Sequence, residues 1–179
     1  MTRNFVLTLT GPDKVGIVEN VTGLLLDRGG NVETSRMARL GGEFAVLMLV
    51  SMPEDRLAGL DQDFDALKAQ GYKVGTAPAE RTHAESHEGW TPYQIEVHGA
   101  DHEGIIHEVA RHLARHGISI EEMDSESAPA STSGVPIFAM TAWVLVPPGD
   151  SAEGWEAGLE EIGWRLNLEI DVIASSDRD

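Results

Sequence analysis

The residues best able to do chemistry lie in Gly11-Pro12-Asp13-Lys14-Val15-Gly16-Ile17-Val18, and the arrangement returns 88 positions later as Gly99-Ala100-Asp101-His102-Glu103-Gly104-Ile105-Ile106. Each segment joins an alternating apolar run to a helical stripe. Asp13 and Asp101 therefore fall where a helix N-cap belongs, and the free amides of a first helical turn form an anion site. Gly16 and Gly104 lack a side chain where a ligand or another backbone could approach closely. One such copy reads as an ordinary capped strand-to-helix turn; two copies at the same spacing favour binding. If Asp13 caps its helix, its own carboxylate fills part of the anion site, and a bound carboxylate must use other amides, those of Val15 to Ile17.

Other chemistries find less support. His98, His102, His107, His112 and His116 crowd a 19-residue window, and the i, i+4 pair His112 and His116 could share a helical face suited to a divalent ion. His102 and His107 stand one residue too far apart for a His-Glu-x-x-His metalloprotease helix. Beside Arg111 and Arg115 the pair reads as a solvated polar face, and no metal is assigned. No Gly-x-Ser-x-Gly elbow, phosphate loop or Gly-x-Gly-x-x-Gly run occurs, and Ser131-Thr132-Ser133-Gly134 reads as a flexible turn.

Composition narrows the partners. Thirteen Lys plus Arg against 30 Asp plus Glu leave a formal net charge of −17, which argues against nucleic acid and against an anionic membrane surface. The absence of cysteine removes disulfides, thiolate metal sites and cysteine nucleophiles. No stretch approaches the ~20 apolar residues of a spanning helix, and the first apolar run ends at Gly11-Pro12-Asp13, too early for a signal-peptide core. A cytoplasmic protein is expected.

These residues must be positioned by two copies of one unit. The offset of 88 also carries Val21 to Val109, Gly29 to Gly117, Asn31 to Ser119 and Val32 to Ile120, then becomes 94 from Phe44 and Phe138 onward. A six-residue insertion within Ala128 to Gly134 accounts for the change. Phe5, Leu7 and Leu9 alternate as a strand, as do Tyr93, Ile95 and Val97. Ile17, Val18, Val21, Leu24 and Leu25 form a helical stripe answered by Ile105, Ile106, Val109 and Leu113. Gly29-Gly30 and His116-Gly117 end those helices, and Gly41-Gly42 makes a hairpin before Phe44 to Val50. Leu57, Leu60, Phe64 and Leu67 predict a second helix, matched by Trp155, Leu159, Ile162 and Leu166, and last strands follow at Tyr72 to Thr76 and Leu168 to Ile173. Strand, helix, strand, strand, helix, strand, twice over, is an α+β fold of two ferredoxin-like βαββαβ units, each an antiparallel four-stranded sheet with helices on one face. The predicted domains are 1–78 and 92–174, with a polar linker at 79–91 and a frayed tail at 175–179.

Gly-x-Asp-x-x-Gly-Ile-Val between strand and helix, followed by Gly-Gly-Asn-Val at the next strand, resembles the ACT domain, a regulatory module that binds amino acids. Two copies filling nearly the whole chain are similar to the family of tandem ACT regulators of glycine cleavage. The resemblance covers residues 4–78 and 92–174. It implies a ligand held between the loop after the first strand and the second strand of a partner module, loop amides meeting its carboxylate and an Asn meeting its polar groups. The residues implied are Asp13, Lys14, Val15, Gly16, Ile17 and Asn31 in copy one, and Asp101, His102, Gly104 and Ser119 in copy two, which lacks the Asn and Lys. The implied function is non-enzymatic: the modules pair, bind a free amino acid, glycine or serine first, without any cofactor, and modulate a protein partner such as a basic DNA-binding regulator, with homo-oligomers expected. The rival readings are an interaction scaffold without a small ligand and a small metal-dependent hydrolase using the histidines.

Overall fold

Alternation in the first segment becomes β1 (Thr2–Pro12), which turns Phe5, Leu7 and Leu9 inward. The computed structural model describes residues 1–79, 87–129, 134, 136–149 and 152–175. Helix α1 (Ile17–Asp27) lays Ile17, Val21 and Leu25 on the sheet, with Val18 at the exposed margin of the stripe. It ends in a Schellman arrangement: Gly29, at φ 70°, donates its amide to the Leu26 carbonyl, and Gly30 donates to that of Leu25. Strand β2 (Asn31–Leu40) returns through Gly41 and Gly42, at φ 59° and 85°, into β3 (Glu43–Pro53). Two positive φ values are what a two-residue hairpin turn demands. After β3 come a 3-10 turn (Glu54–Arg56), α2 (Leu60–Asp63), α3 (Asp65–Ala69) and β4 (Lys73–Pro78). The sheet order is β2-β3-β1-β4, antiparallel throughout.

The second helix of this unit departs from expectation. The stripe predicts one continuous helix, yet it is broken at Gly59 (φ 81°) and again at Phe64, although Leu60, Phe64 and Leu67 still reach the core. Arg28 explains how the break is tolerated: its Nη1 donates to the carbonyls of Arg56 and Ala58, each at 2.7 Å, and its Nε pairs with Asp63. Carbonyls that leave the helical ladder are thereby satisfied from another element.

The second unit runs β5 (Thr91–Ala100), α4 (Ile105–Arg115), β6 (Ser119–Pro129), β7 (Pro136–Val146), α5 (Ala152–Leu166) and β8 (Leu168–Ala174), in sheet order β6-β7-β5-β8. Here the second helix is unbroken. Trp155 is fully buried and stands edge-on to Tyr93, ring centroids 5.2 Å apart. The α4 terminus repeats the first unit's end, Gly117 donating to Ala114 and Ile118 to Leu113. Two boundaries shift: Ala128 and Pro129 belong to β6 rather than to a loop, and Ser175 is tied by its amide to the Pro92 carbonyl at 3.1 Å rather than frayed. Ala130 to Ser133 of the expected insertion, 80–86 of the expected linker and 176–179 of the expected tail lie outside the described residues. Each unit has its own core, the chain dividing into Met1–Thr82 and His83–Asp179, and each is an α+β ferredoxin-like fold. Among the described residues, no helix is long and apolar enough to cross a membrane.

Candidate functional site

The two strand-to-helix loops have nearly identical backbones. Gly16 (φ 94°, ψ −6°) precedes α1 and Gly104 (φ 92°, ψ −2°) precedes α4, each as the capping residue in the left-handed region, and neither helix receives a side-chain cap. Nothing lies within 4 Å of a Cβ built at either position, so glycine is required by conformation and not by crowding.

This corrects the expectation that Asp13 and Asp101 are N-caps. Each stands three residues before the capping glycine and is drawn to the edge strand instead. The Asp13 carboxylate forms an ion pair with Arg39, Oδ2 to Nε 2.6 Å, while its amide donates to the Gly42 carbonyl at 3.2 Å. Asp101 Oδ2 accepts from Ser127 Oγ at 2.6 Å, and its amide donates to the Pro136 carbonyl at 3.0 Å. Arg39 and Ser127 hold equivalent places, opposite Phe44 and Phe138 of the neighbouring strand. Each aspartate thus straps its loop to the edge strand and leaves the first-turn amides to other acceptors.

Within that turn, the Ile17 side chain is core and its amide donates to the Lys14 carbonyl at 3.3 Å, whereas Lys14 and Val15 are exposed. The Val15 and Gly16 amides have no acceptor among the described residues. His102 replaces Lys14 in the second unit and ties the loop down, its Nδ1 3.1 Å from the Glu103 carbonyl and its Nε2 3.2 Å from that of Leu166.

Asn31 and Ser119 lie elsewhere. Asn31 is opposite Ser51, and Ser51 opposite Asn4, near the start of β1, whereas the Asp13 loop follows Pro12 at its end. Eight strand residues separate those rows, about 26 Å at the usual rise. Asp13, Gly16 and Asn31 are therefore not one pocket within a unit. Asn31 Nδ2 donates to Glu33 Oε1 at 3.1 Å, and Ser119 Oγ donates to Glu121 Oε1 at 2.8 Å, the same bond at the same place in the two units. Glu33 also accepts from Ser51 Oγ at 2.5 Å, and the hydroxyl first, then the Asn31 amide, holds its carboxyl below the usual range.

Cavities divide unequally between the copies. In the second unit Asp101, His102, Gly104, Ile106, His107 and Phe138 line one of about 600 Å³. In the first, a cavity of about 540 Å³ is lined by Thr10, Pro12, Ala38, Leu40 and Lys73 and does not reach Asp13 or Gly16. The copy poorer in matching residues is thus the one whose cavity reaches its loop. Its extra wall residue, His107, could have been found two positions after the start of the helical stripe.

The histidine window resolves into separate roles. His112 Nε2 donates to the Trp155 carbonyl at 2.8 Å, which makes it a packing residue between α4 and α5 and not part of a solvated face, and its ring lies 4.7 Å from that of His116. Among the described residues, no three metal-ligating side chains converge.

With this geometry in place, comparison with known proteins is informative. Residues 3–74 match the family model of the ACT domain. Over 178 residues the chain is 25% identical to the glycine cleavage system transcriptional repressors of Escherichia coli (strain K12) and Shigella flexneri, spanning 97% of this chain and 92% of each relative. A solved structure from Galdieria sulphuraria, described only as an unknown protein, matches at TM-score 0.83 and 29% identity over 98% of this chain and all of that one. Another, provisionally assigned as a glycine cleavage system transcriptional repressor, matches at TM-score 0.67 over 98% and 99% of the two chains, and at 19% identity bears on fold alone. Residues 3–74 thus match the ACT domain, the second unit repeats their strand order, and the chain over nearly its whole length is similar to the glycine cleavage system transcriptional repressors.

Proposed function

We propose that the chain is a non-enzymatic regulator that senses a small free amino acid at its ACT loops and passes occupancy to a protein partner. The observation that carries this reading is the paired uncapped helix start: Gly16 and Gly104 in the same left-handed conformation, with Asp13 and Asp101 both drawn off the amides. Loop amides suit the carboxylate of an amino acid, and the polar groups at Asn31 and Ser119 fit the role of a second contact contributed by an ACT unit other than the one whose loop is occupied. Glycine and serine are the first candidates because the relatives at 25% identity are glycine cleavage repressors. A ligand regulates only through its different affinity for two states, so the partner must distinguish the occupied protein from the empty one. The net charge of −17 suits a basic partner, such as a DNA-binding regulator engaged through its protein surface.

A thermal-shift panel of the common amino acids tests this. Saturation at a hundredfold over Kd adds about 2.7 kcal/mol, and at about 2 to 4 °C per kcal/mol the rise is easily read. Asn31→Ala should weaken the response, Ser119→Ala less so. A folded protein that responds to no amino acid would refute the sensor and leave an interaction scaffold.

A further inference from the structure

The charge of the chain is unevenly spread. Residues 83–179 hold 19 Asp plus Glu and four Lys plus Arg, and among the described residues those cations are Arg111, Arg115 and Arg165. All three line one cavity of about 290 Å³ between α4 and α5, together with His112, Glu108 and Glu161. Cations scattered over an acidic surface to keep it soluble would not converge in this way.

The hydrogen bonds leave this cavity with spare donors. Glu108 Oε2 accepts from Arg111 Nη2 and from Arg165 Nη2, both at 2.6 Å, so one carboxylate aligns two guanidinium groups. Each guanidinium has five N–H donors, and most of theirs remain uncommitted. Arg115, one turn beyond Arg111 on the same face of α4, makes no ion pair or hydrogen bond with the described residues. Three cations against Glu108 and Glu161 leave the lining net positive. Charges farther than about 8 Å are screened at physiological ionic strength, so this local excess, not the charge of the whole chain, decides whether a small anion stays.

We propose that the cavity between α4 and α5 binds the phosphate group of a small molecule through Arg111, Arg115 and Arg165. Planar guanidinium forks pair two donors with two phosphate oxygens. A volume of about 290 Å³ admits a phosphate group with its substituent directed to solvent. The site is separate from the Gly104 loop and does not depend on the amino-acid reading.

The test uses the full chain and inorganic phosphate, with sodium chloride at matched ionic strength as the control. Phosphate should give a saturable rise in Tm that chloride does not, and it should perturb the NMR signals of the arginine Nε–H groups. Arg115→Gln removes an exposed, uncommitted side chain, so the unliganded Tm should hold while Kd rises about tenfold or more, the loss expected for one charged hydrogen bond. Arg111→Gln should act likewise, and neither change should alter the response to amino acids. Phosphate behaving like chloride, or Arg115→Gln binding phosphate as the unaltered chain does, would overturn the proposal.

Discussion

Replacing Gly16 by alanine isolates one feature that both loops share, the left-handed glycine before the helix. The added Cβ meets nothing within 4 Å, so a steric argument predicts no cost. The backbone argument predicts otherwise, because φ 94° with ψ −6° is a conformation that side-chain-bearing residues rarely adopt. Holding a non-glycine residue in such a region costs of order 1 to 3 kcal/mol. Alanine also narrows the unfolded ensemble, which returns about 0.4 to 1 kcal/mol, so the net loss should be about 1 to 2 kcal/mol. At about 2 to 4 °C per kcal/mol, Tm falls by about 2 to 8 °C. Urea denaturation of Gly16→Ala, Gly16→Asn and Gly104→Ala is the assay. Asparagine is larger than alanine but visits the left-handed region more readily, so Gly16→Asn should be the less damaging change. Gly104→Ala should cost about the same as Gly16→Ala, since its φ is 92° and its surroundings are equally open. Gly16→Asn proving worse than Gly16→Ala would refute the conformational account and restore crowding as the reason for glycine.

Two further outcomes follow from contacts between elements. A Cβ at Gly158 would sit 2.2 Å from Cε1 of His112, so Gly158→Ala must displace the ring and break its bond to the Trp155 carbonyl; a loss of about 1 to 3 kcal/mol is expected in urea denaturation, and much less when His112 is already alanine. The hydrogen bond from Arg28 holds the Asp63 carboxyl below its usual range, so its stabilisation is fully present above the unfolded carboxylate pKa of about 3.9 and fades as pH falls through the lower folded value. The stability gap between the unaltered chain and Asp63→Asn should therefore be flat near neutral pH and close in acid, and a gap that widened in acid would contradict the pairing.

Local pattern made much of the fold legible. Alternation marked β1 and β5, and the glycine pairs marked the helix end at Gly29 and the hairpin at Gly41, because those signals act through residues adjacent in sequence. The broken second helix was not legible, since it depends on Arg28 reaching carbonyls 28 and 30 positions away. The same holds at the site. Strand-to-helix spacing located Gly16 and Gly104, but the choice of Asp13 between capping a helix and pairing with Arg39 is made by a hairpin that folds back from 26 residues downstream. Asn31 follows Gly16 by only 15 positions, but the helix between them carries it to the far end of the sheet, so a contact from Asn31 to a loop-bound ligand has to come from another module, as the resemblance implies.

The two units keep the geometry of the loop while exchanging its chemistry, and the direction of exchange is consistent. Arg39 gives way to Ser127 as the partner of the loop aspartate and Lys14 to His102, so the second loop loses two fixed charges, while at the far end of the sheet Asn31 gives way to Ser119 and an amide is lost. The second unit's described Lys and Arg residues all lie instead on the helix face, around Glu108. A fixed cation beside the loop would favour any small carboxylate, whereas one displaced to the helices leaves loop recognition to amides and shape. On the proposed sensor reading, selectivity among amino acids is to be sought first in the second unit's cavity, which His102 and His107 line. Changing His107 should alter which amino acid is preferred, and changing Lys14 should alter only how tightly any of them is held.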